Sequence, residues 1–229
     1  MKKKISRLLS FWDEDRSLSI MLLLQLLLIF VLVPTMSPGR GGQIIIKVIY
    51  SVMVLTGILS VAKNKRNVII VGVFAGLDLF LNWLSDIEPT RALLIMNDFG
   101  AIFFNLFFAI AILIKTFKPG DITFHRIEGS IVVHLLIGMI FAYAFHAIYL
   151  FEGASAFNNI TDPDLKEFLY YSFVTLTTVG YGDISPVYPL ARSLANLEAL
   201  IGQLYPAILI ARLVSMEFES SNKKREKTK

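Results

Sequence analysis

The chain predicts an all-α membrane protein of six spanning helices, with a re-entrant half-helix and a short glycine-bearing loop between the last two. Three observations predict it. Hydrophobic residues make up 55% of the 229 and charged residues 17%, at a mean hydropathy of +0.64, the composition of a chain that crosses a bilayer repeatedly. Six apolar runs approach the roughly 20 residues that a helix needs to span the hydrocarbon. With alternate connections assigned to one side, the basic residues gather there, and only Arg40, Lys47, Arg91, Lys166 and Arg192 fall on the other. That bias puts both termini in the cytoplasm.

The elements follow in order. Residues 1–17 are basic and carry Ile5, Leu8, Leu9, Phe11 and Trp12, the pattern of an interfacial amphipathic anchor. Phe11 to Arg16 separates Lys2–Lys4 from the first apolar run and no small-residue cleavage site follows, so no cleavable signal peptide is expected. The first run is Leu18 to Val33, stopped by Pro34. The second, Ile44 to Ala62, ends at Lys63, Lys65 and Arg66. The third, Val68 to Leu84, carries Asp78 and Asn82, and its Gly72 and Gly76 predict close helix packing. The fourth, Ala92 to Ile114, contains Asn97, Asp98 and Asn105. The fifth spans Ile127 to Phe151 and the sixth Pro189 to Val214.

Composition also excludes. The absence of cysteine rules out disulfides and thiolate metal sites. The net charge of +4 sits in loops and tails, where one-sided topology accounts for it, so lipid is an expected partner and nucleic acid is not.

Glu152 to Tyr188 is too polar to span. Thr161-Asp162-Pro163-Asp164 predicts a helix start, with a Thr or Asx cap and proline at the first helical position, and the helix runs to about Leu176. Its C-terminal, negative end would favour a cation beyond it. Then comes Thr177-Thr178-Val179-Gly180-Tyr181-Gly182-Asp183. A run of backbone carbonyls turned to one side can replace the water oxygens around an alkali cation. The dihedrals this needs are open to Gly180 and Gly182, which have no Cβ to clash.

That motif resembles the selectivity filter of the potassium channel family. Tyr170, Tyr171 and Ser172 stand where the family carries an aromatic pair on its pore helix, and Asp183 matches its acidic residue after the filter. Gly202, nineteen residues beyond Asp183, stands where bacterial two-helix members place a hinge glycine. The likeness covers about Ile127 to Met216. It departs at Val174, where some members carry a glutamate, so their inactivation behaviour is not carried over.

The resemblance implies a homotetramer whose four filter strands line one pore. Potassium would be held at Thr178, Val179, Gly180 and Tyr181, with Gly182 closing the filter. The Thr178 hydroxyl would add an oxygen, while Val179 and Tyr181 turn their side chains away to pack on surrounding protein. The implied function is passive potassium conduction across a membrane, placed by the resemblance in a prokaryotic inner membrane. It involves no catalysis and no cofactor beyond the permeant ion. The chain then divides into a cytoplasmic segment 1–17, a four-helix domain 18–118, a pore domain 119–216 and a short tail 217–229. Two alternatives stand beside it. Such a filter also occurs in weakly selective cyclic-nucleotide-regulated channels, which allows a poorly selective cation channel. A membrane sensor or regulatory protein with a vestigial pore is the other.

Several polar residues remain. Voltage sensing needs several charges in the field, each worth about 2.3 kcal/mol per 100 mV. The fourth run has Arg91 at one end and Lys115 at the other with no basic residue between, so strong voltage gating is not expected. Asp78 and Asp98 form a candidate intramembrane polar site, read either as interhelical hydrogen bonding or as an ion, proton or ligand site. Glu198, with Tyr170, Tyr171 and Asp183, is read as filter support, bonding to Thr175 or Ser172. Gly202, Gln203 and Pro206 are gate or hinge candidates, with a bend expected near Leu200 to Pro206. His134 and His146 are expected to be packed or interfacial.

Overall fold

The computed structural model describes residues 14–35, 40–61, 65–87, 89–117, 124–160 and 163–227. The expected N-terminal anchor, and the expected cap residues Thr161 and Asp162, lie outside them. Helix α1 (Glu14–Leu27) runs on through a π-helical turn, Leu28–Leu32, and a last turn, Val33–Thr35, that takes in Pro34. Then follow α2 (Arg40–Val61), α3 (Lys65–Ile87) and α4 (Arg91–Thr116). The second half holds α5 (Phe124–Glu152), the short α6 (Leu165–Leu176) and the long α7 (Pro189–Lys227). Strands β1 (Phe157–Asn158) and β2 (Ser185–Pro186) pair antiparallel, Phe157 opposite Pro186.

Among the described residues, four helices are long and apolar enough to cross a membrane, over Leu18–Thr35, Arg91–Ile114, Arg126–Glu152 and Pro189–Met216. Helices α2 and α3 contain shorter apolar stretches, Gly41–Gly57 and Gly72–Ser85.

Helix α5 is the centre of the fold. Its span is 72% buried, and α4, α1, α6 and α7 all pack on it. Because α5 is apolar on every side, it serves all four neighbours. From α1, Leu18, Met21, Gln25 and Leu28 recur at helical spacing and point inward, and Gln25 Nε2 reaches Met139 Sδ at 3.7 Å. Phe30, on the π turn, meets Phe173 of α6 edge-on at 5.5 Å. A second core lies behind the loop that follows α6, where Phe145, Phe157, Phe168 and Tyr171 meet at 4.9 to 5.9 Å in edge-to-face pairs. Arg91 ties α4 to the end of α5, donating through Nη2 to the Phe151 carbonyl at 2.6 Å and through Nε to that of Leu150. Those carbonyls belong to the last turn of α5 and lack helical partners.

Four expectations change. Helix α6 begins at Leu165 behind Asp164, not at Pro163, and no side chain caps it; its first turn closes through Glu167 N–H to the Asp164 carbonyl at 3.1 Å. Helix α7, which takes in Pro206, extends through the expected tail to Lys227. That tail is rich in Glu and Lys, good helix formers with Glu219 and Lys223 at a favourable i, i+4 spacing. The close packing read from Gly72 and Gly76 is not met among the described residues of one copy, where a Cβ at either would meet nothing within 4 Å.

Candidate functional site

Helix α6 ends by folding its last carbonyls back onto the next amides. Thr177 N–H bonds to the Phe173 carbonyl, Thr178 N–H to Thr175, and both Val179 and Gly180 N–H to Val174, at 2.9 to 3.2 Å. The amides of the loop are thereby used up at its start. Among the described residues, no hydrogen bond ends on the carbonyl oxygens of Thr177 to Gly182. The backbone of this stretch alternates. Thr178, Gly180 and Gly182 have φ of 59°, 57° and 78°. Such alternation turns successive carbonyls toward a common side. It costs a glycine little, but for the β-branched Thr178 it is strained. Sequence reasoning assigned the unusual dihedrals to the two glycines and missed the threonine.

Asp183 ends the loop, and two groups fix it. Tyr170 Oη donates to its carboxylate at 2.6 Å, and Asn159 Nδ2 donates to its backbone carbonyl at 2.8 Å. The tyrosine hydroxyl holds the Asp183 carboxyl below the usual carboxylate range. On its far side the loop is anchored by the β1–β2 pair and by Val187 and Tyr188 N–H, both on the Ala156 carbonyl.

Behind α6, Ser172 and Glu198 are fully buried. Ser172 Oγ lies 2.7 Å from the Gly138 carbonyl and 2.5 Å from Glu198 Oε1, so it joins α5, α6 and α7 at one point. The hydroxyl has a single hydrogen, and both contacts hold together only when Glu198 carries a proton and donates to Oγ. Of the two partners expected for Glu198, Thr175 instead donates to the Tyr171 carbonyl. Tyr171 itself packs edge-on against Phe145 at 4.9 Å and makes part of the wall behind the loop.

Gly202 sits where α7 crosses the end of α6. A Cβ there would lie 1.9 Å from the Leu176 carbonyl oxygen, so close approach of two backbones demands glycine at this position. Its neighbour Tyr205 donates to the Ser130 carbonyl at 2.9 Å and stacks on His134, centroids 5.5 Å apart. Gln203 and Pro206 are exposed in a single copy. So are Val179 and Tyr181, at 51% and 72%; the packing expected for their side chains is not met within one chain.

The two candidate acids have separate partners. Asp78 accepts from Tyr50 Oη at 2.8 Å, between α3 and α2. Asp98 lies 2.8 Å from His146 Nδ1, between α4 and α5. Sequence reasoning read His146 as packed or interfacial and gave it no partner. The available signal was the buried polar face of α4, where Asp98 and Asn105 are seven residues apart.

Known proteins resemble part of the chain. Residues 130–219 match the family model described as an ion channel. Protein LctB of Geobacillus stearothermophilus is 39% identical over 69 residues, which is 30% of this chain and 50% of that protein. Potassium voltage-gated channel subfamily A member 10 of Mus musculus is 30% identical over 84 residues, 34% of this chain and 16% of that one. Two-pore potassium channel 5 of Arabidopsis thaliana is 29% identical over 104 residues, covering 44% and 24%. The chain spans half or less of each of these relatives. No solved structure matches. The match to an ion channel model, together with the apolar helices, supports an integral membrane protein.

Proposed function

We propose that the protein is a potassium-selective channel in which four copies set their Thr177–Asp183 loops around one axis and conduct passively. The observation that carries the proposal is the loop backbone, whose left-handed residues alternate at 178, 180 and 182 while its carbonyls accept no hydrogen bond among the described residues. Oxygens spaced one per residue along a narrow path can replace the hydration shell of potassium at Tyr181, Gly180, Val179 and Thr178 in turn, with the Thr178 hydroxyl as a further ligand. Tetramerisation is supported by what one copy leaves uncovered. The apolar span of α7 is 11% buried, with Leu197, Leu200, Leu204 and Ile208 exposed along one face, and Tyr181 stands open to a neighbour.

In this reading all six long helices cross a prokaryotic inner membrane, both termini are cytoplasmic, and α4, without a ladder of basic residues, does not make the pore strongly voltage-dependent. Tyr170 and Asp183 hold the outer end of the filter, and Ser172 with Glu198 holds the pore helix α6 from behind. Gly202, Gln203 and Pro206 then lie on the inner helix below the filter.

The test is rubidium and sodium uptake by proteoliposomes loaded with potassium. The expected result is rubidium uptake that barium blocks and that Gly180→Asp abolishes. Equal sodium uptake would replace the proposal with a poorly selective cation channel. No uptake of either ion, together with saturable binding of a small ligand, would replace it with a sensor.

A further inference from the structure

Helix α4 has no ladder of basic residues, yet one of its faces is polar, and it is buried at Asp98 and Asn105. Arg91, Asp98 and Asn105 are each seven residues apart, so they fall along one face two turns from one another. Arg91 fastens the start of α4 to the last carbonyls of α5. Two turns inward, Asp98 Oδ2 meets His146 Nδ1 at 2.8 Å, a close polar contact. Both side chains are buried, at 1% and 7% exposure.

From His146 a packed path leads to the loop. The imidazole lies against Phe168 of α6, centroids 5.3 Å apart, and Phe168 is fully buried. Phe168 meets Phe157 edge-on at 5.5 Å. Phe157 pairs with Pro186, three residues beyond Asp183. The further titratable groups around the pair are Tyr143, within electrostatic reach of both Asp98 and Asp78, and Asp78 itself, which accepts from Tyr50.

A buried carboxylate beside a buried imidazole is poorly explained by stability, because two apolar residues of the same size would pack without the desolvation cost. Such a pair supplies direction. The 2.8 Å contact sets the rotation of the His146 ring, and the ring sets Phe168.

We propose that Asp98 and His146 are a positioning pair, through which the fourth helix holds the pore helix, and with it the filter, in its conducting shape. This rests on the channel reading above. It gives α4 the part of a strut between the front helices and the filter.

The test uses the full-length protein in liposomes, with Asp98→Ala, His146→Ala, the double variant and His146→Gln. The readouts are the potassium-to-sodium flux ratio and the tetramer mass. Each single alanine variant should assemble and lose about tenfold in the ratio. The double variant should lose no more than either single one, because both remove the same contact. His146→Gln, whose amide can still donate to Asp98, should recover most of the ratio. A wild-type ratio in either alanine variant, losses that multiply in the double variant, or a glutamine variant no better than alanine would each overturn the proposal. Should the alanine variants fail to assemble, His146→Phe keeps the ring and removes the donor; it should still lower the ratio relative to His146→Gln, and equal ratios overturn the pair. A wild-type protein without flux overturns the channel reading separately. The resonance of a fluorinated phenylalanine at position 168 then decides the mechanical link, which stands if Asp98→Ala shifts it and falls if it does not.

Discussion

In α7 a methyl group at Gly202 would lie 1.9 Å from the Leu176 carbonyl oxygen, whereas in α3 one at Gly72 or Gly76 would meet nothing within 4 Å. The same residue type therefore answers to different demands at these two places. Around the loop Thr177–Asp183, backbone approaches backbone and left-handed dihedrals recur, so glycine is required by geometry. In the front four helices the specific contacts are made by buried polar side chains, Tyr50 to Asp78 and Asp98 to His146. A structure that must hold carbonyl oxygens at fixed spacing needs rigid backbone contacts. One that must hold helices together can use side chains.

The largest break in that comparison is expected from Gly202→Ala. Overpacking against a main-chain carbonyl cannot be relieved by rotating a side chain, and about 3 kcal/mol or more should be lost. Thermal unfolding of the purified protein in detergent measures it. Alanine at Gly202 that leaves both stability and flux unchanged would remove the close contact from the account.

Glu198→Ala comes next. It leaves the Ser172 hydroxyl without one of its two buried neighbours and opens a cavity where α5, α6 and α7 meet, at a cost of about 2 kcal/mol. Glu198→Gln, which can still donate to Oγ, should cost less than half of that. Equal losses in both variants would mean that volume, not the hydrogen bond, matters at this position.

Tyr170→Phe probes the exposed end of the loop and has a pH signature. The carboxyl of Asp183 titrates below its ordinary value in the folded protein, so its contribution is complete above that ordinary value, about 3.9, and is lost as pH falls through the lowered one. Removing the Tyr170 hydroxyl should raise the pH at which flux fails on acidification. A flux profile identical to wild type would detach Asp183 from the function of the loop.

The smallest effect sharpens the contrast by its sign. Gly72→Ala and Gly76→Ala should each stabilise by up to about 1 kcal/mol, because alanine is the better helix former and nothing opposes the methyl. A loss on either substitution, measured by the same unfolding assay, would mean that α3 meets a neighbour closely in the assembled protein.

The same division explains what the sequence made legible. The loop could be read because its geometry is local: two glycines alternate with bulky residues directly after a helix, and no distant partner is needed to infer the backbone shape. Thr178 escaped because its φ is imposed by the hydrogen bonds that the Val174 and Thr175 carbonyls make to the following amides. The Glu198 contact was half legible, since helical spacing placed it behind α6 but could not choose between Ser172 and Thr175. Pro206 lies inside α7, next to Tyr205, whose anchor on the Ser130 carbonyl of α5 no single-helix pattern shows. Asp98 was visible as a buried acid, but His146 was not visible as its partner, because their meeting depends on the rotation of α4 against α5. No single-helix pattern encodes that rotation.

The most direct test of the central claim is the reversal potential of single channels in a planar bilayer with potassium on one side and sodium on the other. The account predicts a reversal far from zero, with the sign that potassium permeation sets, and its collapse in a Gly180→Ala protein that still assembles. A reversal near zero in the wild-type protein would contradict it, because a loop with these dihedrals would then be lining a pore that does not distinguish the two ions.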